Sequence, residues 1–373
     1  MRERSKPPFR ADHVGSLIRP DALIAARLAT ERHEITTAAL ARIQQDAIRD
    51  VVRLQEEIGF RLATDSEFNR GSWQRDFLLK LDNVQLIPSR LTVRFRSAAG
   101  TRNHSPPSLQ VTGKLARANG IFVEDFRFLH SVAQAMPKVT IPSPTVLHFR
   151  GGRGAIDAQA YPDIEEFYAD LARVYREEIG ALALAGCRYL QIDEVNLAYL
   201  CDPALRAEVA NIGEDPGSLP ATYAKLLNEA IASRPRDMAV CLHLCRGNFA
   251  GTWIAEGGYE PIADLLFNAI DVDGYFLEYD SPRAGGFAPL RFLPKGKAAV
   301  LGLITTKSGR LETRDELKRR IEEASRHAPI EQLCLSPQCG FSSGIGGNAM
   351  TVEEEIAKLR LVVGTAREVW GSA

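Results

Sequence analysis

Asp237-Met-Ala-Val-Cys-Leu-His-Leu-Cys-Arg-Gly-Asn-Phe249 is an apolar run that ends on His243 and Cys245. Side chains two apart along an extended strand point the same way, so these two residues face one site. An imidazole and a thiolate converging from one strand end suit a borderline metal such as zinc. Two ligands do not make a site, and a buried His beside an inert Cys is the plain alternative. The rest of the chain therefore has to supply further ligands from strands that end at the same place.

Working outward, short β-branched or apolar segments recur at residues 9–14, 61–64, 139–141, 188–192, 238–242, 274–277, 298–304 and 332–335. Helical spacing lies between several of them, over 36–58, 163–185, 222–233, 314–325 and, after the last strand, 352–370. Gly186 stands where a helix C-cap belongs. Strands alternating with helices argue a parallel sheet, and eight of them argue an α/β fold of the (β/α)₈ TIM-barrel type. Polar and reactive residues gather just after these strands, at the end where such barrels hold their active sites. The expectation is one catalytic domain over residues 1–373. One insertion, at about 77–128, breaks the rhythm after the second strand. Within it, Leu91-Thr-Val-Arg-Phe-Arg96 and Ser108-Leu-Gln-Val-Thr112 read as a β-hairpin.

Composition narrows the function classes. Apolar residues make up 45% and charged residues 25%, as in a globular protein with a large core, and the net charge is -1. Such a balance does not attract phosphate backbones or anionic lipid, so neither nucleic acid nor membrane is an expected partner. No apolar run is long enough to cross a bilayer, and the start of the chain has no secretory pattern. Six cysteines in 373 residues are too few for a disulfide scaffold, which points to a reducing cytoplasm.

The strand ends then supply a candidate metal set: His243 and Cys245 after the fifth, Glu278 after the sixth and Cys339 after the eighth. One His, two Cys and one carboxylate make a tetrahedral set for Zn²⁺, with Glu278 the weakest ligand of the four. Cys187, Cys201, Cys241 and Cys334 read as core or helix residues. Gly344-Ile-Gly-Gly347 is glycine-rich, but it lacks the Lys-Ser/Thr of a phosphate loop and reads as a simple turn. Trp73 and Arg75 belong either to the mouth of the barrel or to helix packing. Arg246 and Asn248 are placed to orient ligands or substrate, and His13 is equally a supporting or a core residue.

Several stretches resemble the cobalamin-independent methionine synthases, and more closely their short single-barrel relatives. They are Asp12-His-Val-Gly-Ser-Leu17, Ala63-Thr-Asp-Ser-Glu-Phe68, Pro142-Ser-Pro-Thr145, Gln191-Ile-Asp-Glu194, His243-Leu-Cys245, Phe276-Leu-Glu-Tyr279 and Ser336-Pro-Gln-Cys-Gly340. They span nearly the whole chain in the family's order. The resemblance implies a catalytic zinc on the same four residues, His243, Cys245, Glu278 and Cys339. It implies a homocysteine carboxylate at Val14-Gly15-Ser16 and its ammonium group at Glu67 and Asp193. It puts Phe149 where the family has a folate-stacking Trp, and Thr305 where the family has a His that serves the leaving group. The zinc and thiol half matches; the donor half departs.

The expected activity is methylation of a zinc-bound thiolate, homocysteine giving methionine, with a methyl-folate or methyl-corrinoid as donor. Two other readings stay open: a zinc-dependent alkyltransferase acting on another thiol such as coenzyme M, and a non-catalytic zinc-binding or methyl-carrier partner protein. The expected partners are the small-molecule thiol and the methyl donor, and a homo-oligomer is left open.

Overall fold

The computed structural model describes residues 4–88, 93–97, 100–104, 107–248, 251–342, 344 and 350–373, with the backbone only for 93, 94, 97 and 102–104. In chain order its strands are β1 Leu62–Ala63, β2 Val84–Ile87, β3 Val93–Ser97, β4 Gly100–His104, β5 Ser108–Val111, β6 Met136–Pro137, β7 Val139–Pro142, β8 Tyr189–Glu194, β9 Ala239–Leu244, β10 Gly274–Glu278, β11 Ala298–Ile304 and β12 Leu333–Pro337. Six of them form one parallel sheet, ordered β12-β11-β10-β9-β8-β7. Helices Ile164–Leu184, Leu219–Ile231, Ala263–Ala269 and Arg314–Ser325 fall between its successive strands. All residues of β7, β8, β10, β11 and β12 are buried. A parallel sheet covered on both faces needs such continuous apolar runs, which is why these segments were legible.

Beyond the sheet, the ladder continues on both sides. Ala11 bridges Leu335 in parallel, with Asp12 N donating to the Leu335 carbonyl and Leu335 N to that of Arg10. At the other side β1 pairs with β6, the segment that runs into β7. Next to β1 a helix side chain does the work of a strand. Gln55 Oε1 accepts from Thr64 N at 2.9 Å and Gln55 Nε2 donates to the Thr64 carbonyl at 3.0 Å. Gln55 stands on helix Thr37–Ile58, which is capped by the Thr36 side chain and ended by left-handed Gly59.

Two expectations are corrected. The strand at 91–96 does not pair with 108–112. Instead β3 pairs antiparallel with β4, and β5 pairs with β2. Gly100, at φ 128°, begins β4, and a partner so near in sequence closes a short loop at small entropic cost. The sequence Gly-Thr-Arg-Asn-His of β4 is too polar to have read as a strand. Secondly, β8 and β9 run on through Asp193–Glu194 and His243–Leu244, paired Asp193 with His243 and Glu194 with Leu244. Those polar residues are part of the strands because their side chains are buried: Asp193 and His243 line the site, and Glu194, on the opposite face, accepts from Thr145, Asn196 and Leu197. Leu91 and Thr92 of the expected hairpin, Phe249 and residues 345–347 of the glycine-rich turn lie outside the described residues.

Candidate metal centre

His243, Cys245, Glu278 and Cys339 meet at one point, all buried, with one ligand atom from each within 4.8 Å of the others. Register explains the convergence. His243 lies beside Phe276 of β10, two residues before Glu278, while the β11–β12 pairing of Ile304 with Pro337 ends two residues short of Cys339. A tetrahedral Zn²⁺ with bonds of about 2.0–2.3 Å sets its ligand atoms roughly 3.3–3.8 Å apart. The Cys245 and Cys339 Sγ atoms are 3.5 Å apart, and both ring nitrogens of His243 are buried without a hydrogen-bond partner. An orphaned imidazole between two thiols fits a borderline cation, so the residues present suit zinc.

Two of the ligands, Glu278 and Cys245, are held from behind, and the backbone beside Cys339 is tied down. Glu278 Oε1 accepts from Arg246 N at 2.7 Å and Oε2 from Arg283 Nη2 at 3.3 Å. Cys245 Sγ accepts from Gly247 N at 3.3 Å, and Asn248 Nδ2 donates to the Gly340 carbonyl at 2.9 Å beside Cys339. The hydrogen bond from Cys245 holds the Cys339 thiol well below its ordinary range, helped by His243 and opposed by burial. The same bond, together with burial, pushes Cys245 well up.

A cavity of about 390 Å³ opens from this centre. At its inner end lie Val14, Ser16, Glu67 and Asp193, with His243, Cys245 and Cys339. Gly15 is not among the lining residues. It forms the turn at φ 143°, with the Thr140 methyl 2.7 Å from where a Cβ would stand. Its carbonyl accepts from the Thr64 hydroxyl at 2.8 Å. Ser66 and Glu67 both hold left-handed backbone, at φ 54° and 58°, a strain that surrounding structure must enforce. Glu67 Oε1 accepts from the Thr140 hydroxyl at 2.9 Å, while Oε2 is buried and unpartnered. Asp193 accepts from Gln191 Nε2 at 2.7 Å. Burial raises its carboxyl to about 7, against the pull of His243 and with a push from Glu67.

A family model described as "Cobalamin-independent synthase, Catalytic domain" matches residues 9–368. The chain belongs to this family. YxjG of Bacillus subtilis (strain 168), described as an uncharacterized protein, is 44% identical over 99% of this chain and 96% of its own length. The methionine synthase of Pyrococcus abyssi is 25% identical over 88% of the chain and 85% of that protein. A solved Listeria monocytogenes protein, provisionally assigned as a vitamin-B12 independent methionine synthase, is 37% identical. It covers 99% of this chain and 100% of that one, with a TM-score of 0.78.

In this cobalamin-independent synthase domain the outer part of the cavity differs from expectation. Phe149 is buried against Tyr199 and Tyr223, with ring centroids at 5.9 and 6.5 Å, and does not line the cavity. Arg150, one residue on, does, as do Tyr199, Trp73, Arg75, Phe95 and Ile254. Thr305 turns aside as well: its N donates to Glu312 and its hydroxyl accepts from Lys307 N. His13 is a core residue, bonded to Gln55 at 2.9 Å and lowered to about 3 by burial and then by Lys138. Phe95 and Arg150 were missed from sequence. Only the apolar alternation of the 91–96 stretch pointed to Phe95, and nothing pointed to Arg150.

Proposed function

We propose that this domain is a zinc-dependent methyltransferase that methylates the sulfur of a thiol amino acid, homocysteine, to give methionine. The observation that carries the reading is the buried quartet opening into a cavity whose inner wall bears Glu67 and Asp193. The strand order, with Ala11 against β12 and β1 against β6, supports a closed (β/α)₈ barrel as the frame. We read it as a single catalytic unit. Six unpaired cysteines fit a reducing cytoplasm, and among the described residues no helix is long and apolar enough to cross a membrane.

His243, Cys245, Glu278 and Cys339 would hold the zinc ion. When bound, the cation supplies Lewis acidity that removes the proton of a substrate thiol near neutral pH. The chain's own residues do the rest. The carboxylate of Glu67, with its free oxygen, and that of Asp193 receive the substrate ammonium group. The turn at Val14-Gly15-Ser16 faces the substrate carboxylate. The strained backbone at Ser66 and Glu67 keeps these groups in place before substrate arrives, so that little reorganisation is needed. The methyl donor, a methyl-folate or a methyl-corrinoid, would enter past Trp73, Phe95 and Tyr199.

The test is direct. Zinc-loaded enzyme is titrated with homocysteine and with coenzyme M, then assayed with homocysteine against folates and methylcobalamin. Homocysteine should bind and be methylated. Binding of coenzyme M in its place would move the assignment to another thiol alkyltransferase, and a saturated zinc site that takes neither thiol would end it.

A further inference from the structure

Tyr259 is remote in sequence from the metal quartet, just before the short turn Glu260–Ile262, yet its hydroxyl lies where two ligand-bearing strands part. The β9–β10 pairing ends at Leu244 and Leu277, one residue short of Cys245 and of Glu278. Past that point the β9 backbone serves a side chain instead of a strand, since Arg246 N donates to Glu278 Oε1 at 2.7 Å. Cys245 N turns away to the Glu194 carbonyl and Tyr279 N to that of Gly302, so the backbone groups of Leu244 and Glu278 face each other. The Tyr259 hydroxyl joins them. It accepts from Glu278 N at 2.9 Å and lies 3.4 Å from the carbonyls of Leu244 and Glu278, either of which it can donate to.

The ring that carries this hydroxyl is itself held. Tyr259 is fully buried. The Arg246 guanidinium lies over its face, 4.4 Å from the centroid, and all three guanidinium nitrogens are buried without a hydrogen-bond partner among the described residues. The face of the ring is thus what this cation has in place of an acceptor. Tyr279 packs edge-on from the other side, with centroids 5.5 Å apart at 79°. From this placement we infer that Tyr259 is a positioning residue for the metal. Its hydroxyl ties the Glu278 backbone to the end of β9, one residue before Cys245, and so sets the spacing between the carboxylate and the thiolate. Tyr259 does not line the cavity and acts only through Glu278. This rests on the zinc-binding reading given above.

Support of one ligand and support of the whole fold differ in how they couple to Glu278. Tyr259→Phe keeps the ring beneath Arg246 and removes only the hydroxyl. In competition with a chromogenic chelator it should bind zinc about ten-fold more weakly than wild type, the lower end of what loss of a group behind a metal ligand costs. Without the Glu278 side chain the hydroxyl has no ligand to place. Glu278→Ala alone and combined with Tyr259→Phe should therefore bind zinc within about two-fold of each other. Zinc affinity equal to wild type in Tyr259→Phe overturns the inference. So does an equal loss in the Glu278→Ala background, or a Tyr259→Phe protein that no longer folds, since either makes the hydroxyl a support of the strands and not of the ligand. A wild-type protein that binds no zinc overturns instead the reading on which the inference rests.

Discussion

The two ends of the cavity are built on different principles. At the inner end, His243 and Glu278 belong to strands, Cys245 follows β9 by one residue and Cys339 follows β12 by two. Their supports are backbone groups such as Arg246 N and Gly247 N. At the outer end, Trp73 and Arg75 follow the β1 loop, Phe95 comes from the insertion, and Ile254 from the segment after β9. That segment and the insertion hold each other through paired hydrogen bonds between Arg96 and Trp253. Sheet register positions the first set, while the second depends on loop packing. On the function proposed above, chemistry that needs an invariant geometry would sit on the first, and discrimination between donors on the second.

The sharpest way to break this contrast is to cut a ligand. Cys339→Ala should leave the enzyme with almost no bound zinc by metal analysis and lower turnover by more than about a hundred-fold, since even outer supports of a metal ligand are worth 10–100-fold. Should Cys339→Ala still hold one equivalent of zinc and turn over normally, the inner end is not the reacting end.

Next in size is Glu67. Replacing a carboxylate that bonds an ammonium group loses about 1.5–3 kcal/mol, so Glu67→Gln should raise the homocysteine KM roughly ten- to hundred-fold at full zinc content. An effect confined to zinc content would make Glu67 part of the metal support. Asp193 gives a pH dependence in the metal-free protein. Burial raises its folded-state value to about 7, above the ordinary 3.8. The folded protein thus holds this proton more tightly than the unfolded chain. The stability it contributes is complete below the ordinary carboxyl range and is lost as pH rises toward 7. Asp193→Asn should flatten that part of the curve of melting temperature against pH, and an unchanged slope would assign the dependence to another group.

The same contrast governs what could be read from sequence. His243 and Cys245 were legible because alternation in a strand has a period of two, so knowing the strand gives the direction of each side chain. Glu278 and Cys339 followed once their strands were recognised. Phe149 was not legible in the same way. It lies on the one-turn helix Val146–Phe149, where each residue turns the direction by about 100°. A resemblance that gives position along such a turn does not give its face, and the face toward the cavity belongs to Arg150. The hairpin failed for a related reason, because β4 pairs through backbone groups and its side chains carry no pattern.

The smallest expected effect separates the outer wall from the core behind it. Phe95 and Phe149 are both buried aromatics, 8% exposed each, yet only Phe95 lines the cavity. Phe95→Ala should raise the donor KM a few-fold, about the 1 kcal/mol of a lost aromatic contact, and leave homocysteine binding and zinc content alone. Phe149→Leu removes ring contacts with Tyr199 and Tyr223, so it should lower the melting temperature while the donor KM stays put. If the two variants exchange these behaviours, with Phe149→Leu weakening the donor and Phe95→Ala only the fold, then the donor lies against the helix Val146–Phe149. The insertion would then be packing and not a wall, and the division between a register-built inner end and a loop-built outer end would have to be redrawn along that helix.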